Sequence, residues 1–377
     1  MIAEREILSV FDEVLASVDN SLVKKAMREG RIPIGYTCSH VPEVLLSVGK
    51  LFPLRLRAPG ITGTQSADAY LPPTVCTYCR SLLEFGMDGR YDFLGGWVFN
   101  FSCQHMNRCY DTVRHTVKPS FVYILDALHS VTDSATSWMA DELRDLAVAL
   151  SSHFGVAINE KTLSSAIKEH NKSLIPMREI AESRKEDSPP VTGTEFHKLM
   201  MAWLAAPKDE LAERIEQFRE SIRMRESVNG CRARLMVLGG SVDDPQFIEM
   251  IEKTGGLVVA DQFCTGSLPQ LERISEGPDD PFQRIAEYTI ARPCPRMINT
   301  FERRLEDVLD AIGEYRVDGV IVQQLKFCDP MNYYGKGMRD SLREKGIPVL
   351  RLDREYMPSG EGQIRTRVQA FIESMGK

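Results

Sequence analysis

The 377-residue chain lacks any run of about 18 apolar residues, so no membrane-crossing helix is expected. Its start, MIAEREILSVFDEVLASVDN, carries acids at helical spacing. It lacks the basic opening, unbroken apolar run and small-residue cleavage site of a signal peptide, so a cytoplasmic protein with no membrane contact is expected. Basic excess is lacking too. Lys and Arg number 46 against 53 Asp and Glu, a net charge of −7, which argues against a nucleic-acid partner. No GxxxxGK followed by Ser or Thr occurs, and Tyr334-Gly335-Lys336-Gly337 resembles one only superficially, so ATP hydrolysis on a P-loop is not expected. Gly239-Gly240-Ser241 is a turn after a strand, not the GxGxxG of dinucleotide sites. GxSxG and HExxH are absent, which removes the common hydrolase readings.

What is present is an ordinary globular composition, 43% hydrophobic and 26% charged, in a chain long enough for two or three domains. Residues 1–30 read as an N-terminal amphipathic helix, with Ile7, Val10, Phe11, Val14, Leu15 and Val18 on one side and Gly30 as its stop. Residues 31–132 alternate strand and helix. The strands are expected at Ile32–Thr37, Pro53–Arg57, Phe93–Phe101 and Ser120–Leu125, with a helix opening at Pro42. Residues 133–228 show helical periodicity and high charge, and read as a helical linking region interrupted by Ser188-Pro189-Pro190. Residues 229–377 resume the alternation, with strands at Ala233–Leu238, Gly256–Ala260, Val317–Gln324 and Ile347–Leu352. The expected class is α/β: two doubly wound parallel-sheet domains, Rossmann- or flavodoxin-like, joined by a helical region.

Nine cysteines in a cytoplasmic chain point to metal or redox chemistry rather than disulfides. In the first half, Cys38 and Cys103 follow strands and Cys76 lies at a helix start. In the second, Cys264 and Cys328 follow strands and Cys294 lies between Pro293 and Pro295 near a helix start. Each half thus offers three thiols at the edge where open sheets bind ligands and helix dipoles favour thiolates. Asp329 reads as the N-cap of the helix after Cys328, with Pro330 at its first position. Cys79, Cys109 and Cys231 do not fit the pattern; Cys109, six residues past Cys103 on one helix, points about the opposite way.

Such dispersed thiols do not resemble zinc knuckles, and Cys76 with Cys79 is the single CxxC. Iron–sulfur clusters accept thiolates gathered from distant segments, and three ligands per cubane leave one iron open for substrate or for a bridge to a second cluster. Buried structural cysteines and zinc remain the alternatives on spacing alone. His40 and His105, each two residues past a cysteine, are candidates for proton delivery, with a helix-surface role as the plainer reading. Arg55, Arg57, Arg80 and Arg296 lie near expected strand ends and are read as surface arginines.

Several segments resemble one family. They are Gly35-Tyr36-Thr37-Cys38-Ser39-His40-Val41-Pro42-Glu43, Cys76-Thr77-Tyr78-Cys79-Arg80-Ser81, Ser102-Cys103-Gln104, Asp261-Gln262-Phe263-Cys264-Thr265-Gly266, and the strand leading into Lys326-Phe327-Cys328-Asp329-Pro330. Together they are similar to the 2-hydroxyacyl-CoA dehydratase and benzoyl-CoA reductase family. The resemblance implies an iron–sulfur subunit with its cluster in the cleft between the two sheet domains. It implies a related or identical second subunit, and a separate ATP-hydrolysing iron–sulfur activator that supplies low-potential electrons, in keeping with the missing P-loop. An acyl-CoA thioester is the implied substrate, dehydrated through a ketyl radical or reduced in its aromatic ring. Cys76, Cys103 and Cys328 match the family's ligand positions best. With Cys38, Cys264 and Cys294 the set reaches six, a number resembling the double-cubane branch. The implied cofactor is therefore a 4Fe–4S cluster or an 8Fe–9S double cubane. Two further readings stay open: a double-cubane reductase of a small non-CoA substrate, and a non-catalytic electron-transfer partner.

Overall fold

A computed structural model describes residues 2–225, 227–228, 230–267, 271–357 and 359–376, with side chains from Glu6 onward. Eight strands occur among these residues. The first four are β1 (Ile32–Tyr36), β2 (Leu51–Arg55), β3 (Gly96–Asn100) and β4 (Val122–Leu125). The second four are β5 (Ala233–Gly239), β6 (Gly256–Phe263), β7 (Gly319–Leu325) and β8 (Val349–Arg354). They form two four-stranded sheets, ordered β2-β1-β3-β4 and β6-β5-β7-β8, and every pairing is parallel. The two sheets therefore share one topology, with the order reversing between β1 and β3 and between β5 and β7. Ligands of open parallel sheets bind in the crevice at that reversal, beyond the strands' carboxyl ends.

Local chemistry explains the elements. β3 and β7 are buried along their whole length, as strands covered by helices on both faces must be. Ile34, Val98, Ile321 and Val322 are fully buried, and each such side chain contributes about 1.5–3 kcal/mol. β5 ends at Gly239, where φ is +148° and a Cβ would stand 2.0 Å from the Gln323 carbonyl oxygen; only glycine fits there. Asp244 caps the helix Pro245–Glu252, accepting the Gln246 N–H at 2.9 Å with Pro245 at its first turn.

Residues 133–225 carry four helices, Asp133–Phe154, Glu160–Ser183, Gly193–Leu204 and Lys208–Arg223. Three of them pack with the first N-terminal helix around Phe11, Leu174, Phe196, Trp203 and Phe218. The helix Asp133–Phe154 instead covers the first sheet. Beside it lies the helix Pro281–Ala291, which belongs by sequence to the second half: Phe282, Ile285 and Ile290 pack with Ile34, Val98, Leu143 and Leu146. On the other face of the first sheet, Leu325, Cys328 and Tyr356 join Tyr78, Leu82, Trp97 and Phe99. Each half thus enters the other's core.

Three local expectations are corrected. The N-terminal segment 1–30 is two helices, Ile2–Ala16 and Ser21–Arg28, because the Asn20 side chain accepts the N–H groups of Leu22 and Val23 and starts a new helix. No α-helix opens at Pro42; a single 3₁₀ turn, Leu45–Ser47, follows, and Glu43 spends its carboxylate on Lys208 and Tyr36 rather than on a helix dipole. The helix after β7 begins at Asp329, and its N-cap is Cys328 itself.

Candidate functional site: a cleft of six thiols

Thiols at the carboxyl ends of both sheets come within electrostatic reach of one another, and Cys38, Cys76, Cys103, Cys264, Cys294 and Cys328 meet between them. None of the nine cysteines is in a disulfide. The six do not group by chain half. Cys76, Cys103 and Cys328 form one set. Burial first, then the thiols of Cys76 and Cys103, push the Cys328 thiol far above its ordinary value; burial and Cys76 likewise push Cys103 up to about 11. Cys38, Cys264 and Cys294 form the other set. Burial, then Cys294 and Cys38, push Cys264 up to about 12. The sets adjoin, since Cys103 also responds to Cys38 and Cys328 to Cys264. The interleaved cores are the reason: the helix Pro281–Ala291 carries Cys294 to the first sheet, and the contact of Leu325 and Tyr356 with that sheet's other face carries Cys328 to Cys76.

In the first set every thiol is a helix N-cap. Cys76 opens Thr77–Met87, Cys103 opens Gln104–Thr116 and Cys328 opens Asp329–Glu344. Three positive helix ends therefore face this set, though burial outweighs them at Cys103 and Cys328. The Cys103 sulfur accepts the Met106 N–H at 3.4 Å. Cys76 Sγ lies 3.6 Å from Cys79 Sγ, and this hydrogen bond, with His105, holds Cys76 well below its ordinary value. Phe327, just before Cys328, adopts φ +63°, a left-handed conformation costly for a non-glycine residue; such strain persists where surrounding structure imposes it, commonly at functional sites. Cys109 is fully buried behind the set, its sulfur on the Cys79 carbonyl at 3.5 Å.

The second set is built from loops and arginines. Ser39 Oγ donates to the Cys264 carbonyl at 2.7 Å and ties the Cys38 loop to the Cys264 loop. Asp261 shapes the latter: its carboxylate accepts the Ser267 N–H at 2.5 Å and pairs with buried Arg184 at 2.7 Å. Arg55 donates to Ser39 Oγ at 3.3 Å, and Arg292 to the Ser39 carbonyl and Tyr288 hydroxyl. Arg296 donates to Asn100 Oδ1 at 2.9 Å and the Phe101 carbonyl at 3.1 Å, both at the end of β3. Burial works against the Arg55 charge, but the phenols of Tyr78 and Tyr36 and the thiols of Cys38 and Cys264 hold it above its ordinary value.

The histidines differ. His40 is fully buried rather than a surface residue. Its Nδ1 is 3.9 Å from the Cys38 sulfur, and burial together with Arg296 and Arg292 keeps its ring neutral. His105 is half-buried, and its Nδ1 accepts the Cys76 backbone N–H at 3.3 Å. The Cys76 thiolate raises its affinity for a proton.

The surface reading of the strand-end arginines is overturned at three positions. Arg55, Arg57 and Arg296 are buried; Arg80 is partly exposed and paired with Asp68. Arg57 donates to the carbonyls of Val14, Leu15 and Ser17, away from any ligand role. Arg292 and Arg304 join the site without a place among the expected residues. The spacing Arg292-x-Cys294-x-Arg296 was the available signal, since both cations flank a cleft thiol by two residues.

Among the described residues, no group of three or more His, Cys, Asp or Glu side chains is spaced for a single metal ion. The donor set is soft and spread out. It suits a larger thiolate-bound group, with helix ends on one side and guanidinium donors on the other.

Two four-stranded parallel sheets of this order, with helices around them, make this a doubly wound α/β protein. Residues 38–375 match the family model "2-hydroxyglutaryl-CoA dehydratase, D-component". The chain belongs to that family. It is 22% identical over 370 residues to the (R)-phenyllactyl-CoA dehydratase beta subunit of Clostridium sporogenes, covering 97% of both chains. It is 22% identical over 377 residues to the (R)-2-hydroxyglutaryl-CoA dehydratase subunit beta of Acidaminococcus fermentans, covering 98% of this chain and 99% of the relative. It is also 22% identical to a benzoyl-CoA reductase subunit of Thauera aromatica, over 91% and 90% of the two chains. No helix among the described residues is long and apolar enough to cross a membrane.

Proposed function

We propose that this chain is the iron–sulfur subunit of a low-potential dehydratase or reductase, working in the cytoplasm on an acyl-CoA thioester. The observation that carries the reading is the pair of three-thiol sets in one cleft. Cys76, Cys103 and Cys328 would hold one cluster at three helix N-termini, and Cys38, Cys264 and Cys294 a second beside it. When bound, such a group supplies electrons one at a time at low potential. The protein's part is to supply the thiolates, exclude water through the packing of Tyr78, Leu325 and Tyr356, and present a neutral His40 as a hydrogen-bond donor beside the second set. A related or identical second subunit and a separate ATP-hydrolysing activator complete the assembly, consistent with a chain that has no P-loop.

The two adjoining sets favour a second reading within the same chemistry, a double-cubane reductase of a small non-CoA substrate. The arrangement argues against a purely electron-carrying subunit, because three thiols leave a coordination position of each cubane free for a substrate or a bridge. Iron and sulfide analysis of anaerobically purified protein tests this. About eight irons per chain fit two linked cubanes and about four fit one. Near-zero iron would sink the cluster reading.

A further inference from the structure

The second thiol set is surrounded by cations with unused donors. Arg55, Arg292, Arg296 and Arg304 are each 4–5% exposed, and His40 is 1% exposed. The buried Nε of Arg55, Nε of Arg292, Nε and Nη2 of Arg296, Nη1 of Arg304 and Nε2 of His40 have no hydrogen-bond partner. The hydrogen-bond partners of the four arginines are neutral: Ser39, backbone carbonyls, the Tyr288 hydroxyl and the Asn100 amide oxygen. A guanidinium cannot shed its charge, and burying one without a counter-ion costs several kcal/mol. Glu272 and Glu43 act on Arg292, and Asp307 and Glu302 on Arg304, but no carboxylate takes up the orphaned donors, which call for an anion rich in acceptors.

Thiolates alone do not account for the demand. The neighbouring set, Cys76, Cys103 and Cys328, holds its thiols with helix N-termini, Met106 N–H and His105. An equivalent cluster is thus accommodated there without a guanidinium wall. The arginines also have a distinct position. Arg296 binds the last residue of β3 and the residue after it, while Ser39, held by Arg55 and Arg292, follows β1. β1 and β3 are the strands between which the first sheet's order reverses. The orphaned donors therefore line the crevice where a sheet of this topology receives its ligand.

We infer that the arginine-lined side of the cleft binds a small carboxylate, gripped by Arg296 and Arg304 with His40 Nε2 as a further donor. Planar guanidinium forks match a carboxylate's two oxygens, and the enclosure excludes competing water. This rests on the second proposed reading, reduction of a small non-CoA substrate, and deepens it by giving that substrate a carboxylate and placing it beside Cys38, Cys264 and Cys294.

The test is calorimetric titration of anaerobically purified protein with acetate, with iron measured on the same sample. Wild-type protein is expected to bind one acetate saturably. Arg296→Gln and Arg304→Gln should each weaken it about tenfold or more at unchanged iron content. Should either variant fail to fold, wild-type protein is labelled with phenylglyoxal and read by mass spectrometry. Acetate should then slow labelling of Arg296 about tenfold relative to chloride at equal ionic strength. Absence of saturable acetate binding at full iron content, absence of protection, or variants that shed iron while keeping acetate affinity would each overturn the inference and leave the arginines as counter-ions of the cluster. Near-zero iron overturns the cluster reading instead, and acetate binding remains measurable in that protein.

Discussion

The two thiol sets of the cleft meet the same physical demand, charge stabilisation in a buried place, by different means. Cys76, Cys103 and Cys328 use backbone: each is the N-cap of a helix of 11 to 16 residues, so the positive helix ends are part of the scaffold. Cys38, Cys264 and Cys294 use side chains, with Arg55, Arg292 and Arg296 held by Ser39, Tyr288 and Asn100, and Arg304 on the helix Phe301–Glu314 held by the Thr300 carbonyl. Backbone dipoles are spent on what they cap. Guanidinium groups keep spare donors for a third party. On the proposed reading, one set serves permanent ligation and the other ligation plus recognition.

The largest expected effect tests the grouping itself. On the proposed reading both thiols serve one cluster, so Cys76→Ser and Cys328→Ser should each remove about half of the bound iron, and the double variant no more than either single one. Cys294→Ser combined with Cys328→Ser should remove nearly all of it. If the Cys294 and Cys328 pair behaved as one site, the thiols would group by chain half and the comparison would collapse.

A smaller effect is expected at the support of the arginine side. Arg184 and Asp261 form an ion pair with side chains 2% and 5% exposed, and Asp261 also folds the Cys264 loop. Arg184→Met leaves that carboxylate buried and unpaired, so urea unfolding should show a loss of about 3–5 kcal/mol. Iron lost from this variant should come from the Cys264 set alone.

The smallest effect is a pH dependence confined to the same side. His170 packs edge-on against Tyr288, which holds Arg292, and His197 packs against Phe263, which precedes Cys264. Burial holds His170 down to about 3 and His197 down to about 4, against an ordinary 6.5. Between 6.5 and these values the unfolded chain takes up protons that the fold refuses. Stability present above pH 6.5 is thus lost as pH falls, by about 3 kcal/mol for His197 near pH 4.5. Unfolding of His197→Gln should show an acid loss smaller by that amount. Amide exchange at about pH 5 should quicken around Cys264 before it quickens around Cys103; equal quickening would remove the distinction.

Much of the frame was legible. The eight strands appear where alternation and turn residues put them, within a few residues at each end, and Cys38, Cys103 and Cys328 follow strand ends as expected. β6 runs on to Phe263, so Cys264 too stands directly at a strand end. The cap after β7 stands one residue earlier than expected, because Asp329 is the commoner capping type but a cysteine took the position. The arginines escape sequence reasoning because residue type carries no burial signal for a long cation at a strand end. Arg57 and Arg296 are equally buried, yet one caps a helix with its guanidinium and the other faces the cleft.

By itself the sequence determined which residues reach the sheet edges. Strand periodicity, helix starts and the Gly and Pro that punctuate them are local, and they bring Cys38, Cys103, Cys264 and Cys328 to strand ends regardless of what packs beside them. Only the tertiary structure decided which thiols share a set. That choice depends on the helix Pro281–Ala291 crossing beneath the first sheet and on Tyr356 inserting against Tyr78, at ring centroids 5.3 Å apart. These are contacts between segments more than a hundred residues apart in the chain, formed because each half buries apolar surface that the other leaves open, and no local pattern encodes them.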